Sequence, residues 1–74
     1  MEMAFVLLTS ETDFEEDVLE FLKDIPEVKD AFRIYGVYDI ILRVEADTRE
    51  DLKELAVEIR HIDKVRSTLT MIVI

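Results

Sequence analysis

Two polar stretches interrupt apolar segments near their ends: Tyr35-Gly36-Val37-Tyr38-Asp39 and Ser67-Thr68-Leu69-Thr70. Backbone amides beside a glycine turn, the hydroxyls of Ser67, Thr68 and Thr70, and the Asp39 carboxylate are the groups needed to hold a zwitterion. Amides or hydroxyls would take its carboxylate, and Asp39 its ammonium. The same residue types also build a plain hairpin, with Asp39 capping the turn and the threonines serving strand propensity. Composition alone favours that plainer assignment.

Other chemistry finds little support. The sole histidine, His61, closes a helical segment within Arg60-His61-Ile62-Asp63-Lys64, where the helix dipole favours it, and it reads as a surface residue rather than a general base. No nucleophile triad, phosphate-binding loop, dinucleotide-type glycine pattern or histidine-rich metal spacing occurs. Paired acids such as Glu15-Glu16 and Glu50-Asp51 read as helix-start and solvation residues. With no cysteine, disulfides and thiolate metal sites are excluded. The expectation is a non-enzyme with no catalytic residues, cofactor or metal.

The elements that must position the polar stretches follow from periodicity. Met3 to Thr9 is apolar on both faces and reads as a central strand. Thr12-Asp13-Phe14-Glu15 fits a capping box opening a helix, whose apolar positions Phe14, Val18, Phe21, Leu22 and Ile25 share a face before Pro26 ends it. Thr48-Arg49-Glu50-Asp51 repeats the device for a second helix with Leu52, Leu55, Ala56, Ile59 and Ile62 on its apolar stripe. Between the helices lie two strands. Val28, Phe32 and Ile34 of the first, with Ile40, Leu42 and Val44 of the second, are predicted to face the helices. Parity then requires a three-residue loop, Gly36 to Tyr38, pairing Tyr35 with Asp39, with Gly36 at positive φ. In the last strand, Val65 to Ile74, the odd positions Val65, Leu69, Met71 and Val73 are predicted to join the core.

Seventy-four residues support one domain, residues 1–74, and the order strand-helix-strand twice over predicts a ferredoxin-like α+β fold: βαββαβ, a four-stranded antiparallel sheet with both helices on one face. The other face is left uncovered, carrying Ala31, Tyr35, Ile41, Ile72, Ile74 and half of the first strand beside Arg33, Arg43, Thr68 and Thr70. It is too apolar for a solvated face, and a second copy is the expected cover. Eighteen acidic against nine basic side chains, a net charge of −9, disfavour direct contact with nucleic acid or an anionic membrane. With no leader-like N-terminus and no membrane-spanning run, a cytoplasmic location is expected.

At these residues the chain also resembles a known family. Ile25-Pro26-Glu27-Val28, Tyr35-Gly36-Val37-Tyr38-Asp39-Ile40 and Val65-Arg66-Ser67-Thr68-Leu69-Thr70 together resemble the effector-binding RAM (regulation of amino-acid metabolism) domain of the Lrp/AsnC transcription regulators. The resemblance implies dimers formed through the sheets, larger rings of dimers, and a small effector, typically an amino acid, bound between dimers near the glycine turn. Carried across, the ligand site involves Gly36, Tyr38, Asp39, Thr68 and Thr70, with Tyr35 and Ser67 beside them. The family's N-terminal helix-turn-helix has no counterpart here, so the likeness is to stand-alone members that co-assemble with full-length regulators, and Val37 stands where relatives are often polar. Two other classes share the fold. A small dimeric α/β-barrel enzyme, of the cofactor-free monooxygenase or isomerase type, needs a polar group between sheet and helices, where this chain offers aliphatic and aromatic residues. An ACT-like regulatory domain would differ in where its ligand sits.

Overall fold

The computed structural model describes Met1–Ile74 throughout, in the order β1 (Glu2–Ser10), α1 (Glu15–Lys23), β2 (Val28–Arg33), β3 (Ile40–Ala46), α2 (Arg49–Arg60) and β4 (Val65–Ile72). All neighbouring strands are antiparallel, in the order β2-β3-β1-β4. This is the ferredoxin-like α+β fold. Its core is twelve apolar side chains: Ala4, Val6 and Leu8 of β1, Ile40, Leu42 and Val44 of β3, and three residues from each helix. Alternation along the two central strands puts one residue in two against the helices, and there the even positions do face them.

Both edge strands depart from the predicted parity, for the same reason. In β2, Val28 pairs with Val44 but Asp30 with Arg43, so Lys29 is an extra, bulged residue. Beyond it the faces exchange. Ala31 and Arg33 turn to the helix side, while Asp30, Phe32 and Ile34 turn to the open face. In β4, Ser10 pairs with Val65 and Thr9 with Ser67, leaving Arg66 bulged. Val65 packs on the core as predicted, but Leu69 and Met71 lie on the open face, and Thr68, Thr70 and Ile72 face the helices opposite Leu8, Val6 and Ala4. The uncovered face therefore carries Phe5, Leu7, Phe32, Ile34, Ile41, Leu69 and Met71. Ala31, Ile72, Arg33, Thr68 and Thr70 are not on it.

The helices divide similarly. Thr48 caps α2, its hydroxyl accepting from the Asp51 amide at 3.1 Å, and Leu52, Leu55 and Ile59 are buried as their spacing requires. Thr12 does not cap α1. The chain leaves β1 through a turn in which the Phe14 amide donates to the Glu11 carbonyl and Asp13 takes φ 75°, so the helix starts at Glu15 behind an N-cap, Phe14, that supplies no side-chain bond. Its buried face is accordingly Val18, Leu19 and Leu22, while Phe21 is 58% exposed.

Candidate functional site

Antiparallel pairing brings the C-terminal ends of β1 and β2 and the N-terminal ends of β3 and β4 to one pole of the sheet. Three connections meet there: Glu11–Phe14, Tyr35–Tyr38 and His61–Lys64. The Glu11 amide donates to the Lys64 carbonyl at 2.8 Å, and the Lys64 ammonium sits 4.6 Å from the centre of the Phe14 ring. Asp13, Gly36 and Lys64, the chain's three residues at positive φ, all lie at this pole. Non-glycine residues take such conformations only where their surroundings impose them.

The β2–β3 loop is longer than parity predicted. Ile34 donates to the Asp39 carbonyl and the Asp39 amide to Leu8, each at 2.9 Å, so Ile34 rather than Tyr35 pairs with Asp39 and the loop is Tyr35 to Tyr38. The bulge at Lys29 explains this, because inverting the parity of β2 makes an even-numbered loop the consistent one. Gly36 adopts φ 155° with nothing within 4 Å of where a β-carbon would stand. Gly36→Val should therefore cost about 1 kcal/mol or more from backbone strain alone. Urea unfolding checks this; an unchanged midpoint would show that the loop relaxes freely.

An open hollow of about 450 Å³ at this pole is lined by Thr9, Ser10, Val37, Asp39, Arg66 and Ser67. Asp39 is fixed in it by one oxygen, Oδ2, which accepts from the Ser10 amide at 2.9 Å, while Oδ1 has no protein partner. Thr9 and Ser67 stand side by side across β1 and β4, their hydroxyls 2.7 Å apart, and the Ser67 amide donates to Thr9 Oγ1 at 3.2 Å. The Asp39 charge also reaches Arg33. That guanidinium is held above its ordinary pKa chiefly by its hydrogen bond to Glu16, partly countered by desolvation, with attraction from Glu16, Glu15 and Asp39 adding to it.

Of the residues singled out from sequence, the fold thus brings together Asp39 and Ser67. Tyr35, Gly36 and Tyr38 stand at the same pole in the loop, whose contribution to the hollow is Val37. Thr68 and Thr70 do not join them, since strand alternation sends them through the sheet to the helix side. Thr9, Ser10 and Arg66 were missed; the polar Thr9-Ser10 end of an otherwise apolar strand was the available signal for the first two. His61 is exposed at the end of α2, its Nδ1 donating to the Val57 carbonyl at 2.8 Å. A second hollow, about 420 Å³ between α2 and the β2 and β3 ends, is ringed by carboxylates such as Glu45, Asp51 and Glu58. No three of the chain's acidic or histidine side chains converge to hold a metal ion, and no helix is long and apolar enough to cross a membrane.

Comparison with known proteins places these features in a family. Over its full length the chain superposes on the crystal structure of FFRP-DM1 with a TM-score of 0.96 and 43% identity, covering all of that chain. It matches Escherichia coli AsnC with a TM-score of 0.89 and 25% identity, over 99% of this chain and 50% of that one. A homocitrate synthase of Sulfurisphaera tokodaii is 42% identical over 53 residues, 72% of this chain but 12% of that enzyme. The profile described as Lrp/AsnC ligand binding domain matches residues 3–74, and the chain belongs to that family.

Proposed function

We propose that this chain is a regulatory sensor that binds a free amino acid at the Asp39 pole and associates, through its open sheet face, into dimers and higher rings. The observation that carries the ligand is the hollow itself: a carboxylate oriented by a backbone amide, with one oxygen free, faces a pair of hydroxyls and so offers both an anionic and a hydrogen-bonding wall to a zwitterion. Tyr35, Gly36 and Tyr38 would close over it as the loop, in a cytoplasmic protein whose partners are its own copies and Lrp/AsnC-type regulators.

The reading is regulatory rather than catalytic. A barrel-type enzyme on this fold would need a charged or strongly polar group between sheet and helices, and that space is filled by the twelve apolar core residues, with half-buried Thr68 and Thr70 on the β4 edge and Ser10 the one buried polar side chain. The likeness to a short part of a homocitrate synthase supports a second partner class. The same kind of module can be carried by a biosynthetic enzyme, so the chain would act on such an enzyme in place of a DNA-binding regulator.

The test is a thermal-shift screen of the twenty amino acids. A ligand that binds only the native state stabilises it by about 2.7 kcal/mol at a hundred times its Kd. At least one amino acid should raise the Tm, and Asp39→Asn, which keeps an oxygen for the Ser10 amide but loses the charge, should weaken its binding about ten- to a hundredfold with a smaller effect on stability. If Asp39 serves only as a turn cap, the variant will bind as wild type does.

A further inference from the structure

Arg66 is the bulged residue of β4, and a bulge re-aims the side chain it inserts. Here the inserted residue lines the same hollow as Asp39. In a chain with twice as many acids as bases, Arg33, Arg43 and Arg49 each hold a carboxylate within 4 Å, whereas Arg60, at the end of α2, and Arg66 hold none, and of these two only Arg66 lines the hollow. Arg66 and Asp39 thus border one hollow with opposite charges and do not close on each other. The Thr9 and Ser67 hydroxyls belong to the same wall, and Asp39 Oδ1 is without a protein partner.

We infer that Arg66 is the carboxylate anchor of the site, so that Arg66 and Asp39 form a two-point clamp for the α-carboxylate and α-ammonium of one amino acid, with the Ser67 hydroxyl between them. This rests on the sensor reading above and goes beyond it, since the sequence assigned the ligand's carboxylate to amides and hydroxyls. A guanidinium suits the role because its planar fork meets both carboxylate oxygens at once, which a lysine ammonium cannot do. The Ser10 amide holds one oxygen of Asp39, and Asp39 and Arg66 form no ion pair, which leaves both charges for a ligand to bridge. The clamp reads the part that all α-amino acids share. Discrimination among side chains then falls to the loop, where Val37 supplies an apolar contact.

The experiment is titration calorimetry on wild type, Arg66→Gln, Arg66→Lys and Asp39→Asn, using each amino acid that shifts the Tm, its α-carboxamide and its α-hydroxy analogue. Wild type should prefer the acid to the carboxamide by about tenfold or more. Arg66→Gln should reduce that preference to within about twofold, with Arg66→Lys intermediate. Asp39→Asn should leave it intact and instead lose the preference for the ammonium over the hydroxyl. If Arg66→Gln keeps the wild-type preference, or wild type shows none, Arg66 is not the anchor although an amino-acid sensor still stands. If no amino acid binds wild type, the sensor reading and the clamp both fall. Arg66 is exposed, and Asp39→Asn keeps an oxygen for the Ser10 amide, so all variants should retain the wild-type circular dichroism spectrum.

Discussion

Leu42→Ala is expected to lower the unfolding free energy by about 2–5 kcal/mol, the range for removing a large aliphatic side chain from a packed interior. Leu42 is wholly buried at the centre of β3, paired with Val6 on one side and Ala31 on the other. For 74 residues the whole stability should be roughly 4–11 kcal/mol, so this one truncation removes a large fraction of it. Few neighbours can move into the gap. The flanking residues of β1 and β3 are held by strand pairing, and the core is only one layer of twelve side chains between sheet and helices. Association adds a second signature. If the folded chain dimerises, mass action makes the urea midpoint of Leu42→Ala rise with protein concentration, whereas a monomer's would not. A midpoint within experimental error of wild type would mean that the β3 centre is not the core.

Periodicity made the central strands and α2 legible, because nothing interrupts their alternation or their helical spacing. Ala4, Val6, Leu8 and Ser10 of β1 and Ile40, Leu42 and Val44 of β3 are all buried, and Thr48 sits three residues before the amide it caps. The edge strands were misread for a physical reason. A bulge adds one residue without leaving a glycine or proline behind, so Lys29 and Arg66 look like ordinary members of an alternating run. One unseen bulge reverses every residue beyond it, which is why Phe32 and Leu69 were placed in the core and Thr68 and Thr70 on the open face. At α1, Thr12 and Glu15 have capping-box spacing, but the segment is taken up in a turn closed by Phe14 to Glu11 and tied to Lys64 through Glu11, and the helix starts behind Phe14 with no side-chain cap. The site suffered similarly. Asp39 was visible as an acid following a glycine turn, but Arg66 acquires its place beside it only through the bulge.

The misread parity makes the case for association stronger, and Leu7→Glu tests it. With Phe32, Ile34, Leu69 and Met71 added to Phe5, Leu7 and Ile41, the open face is a nearly continuous apolar sheet surface. Its polar members are largely satisfied among themselves: Arg43 bonds both Asp30 and Glu45, which hold its pKa above the ordinary value, and Thr9 bonds Ser67. Four strands at about 4.8 Å spacing and roughly 25 Å long present on the order of 500 Å² in projection, as much as the largest apolar patch of an ordinary monomer. Leu7 lies mid-face, between Ile41 and Leu69, and is outside the buried core cluster, so a glutamate there should leave the protomer folded. In a face-to-face dimer, however, each copy would bury one carboxylate without a cation beside it, at a cost of several kcal/mol per charge. The dimer constant should fall by about a thousandfold or more. Wild type should therefore sediment as a dimer or larger at micromolar concentration, and Leu7→Glu as a folded species of 8.7 kDa. If the variant sediments as wild type does, or wild type is itself monomeric, the sheet faces are not the interface, and a hydrated apolar surface of this size would have to be covered by something other than a second copy.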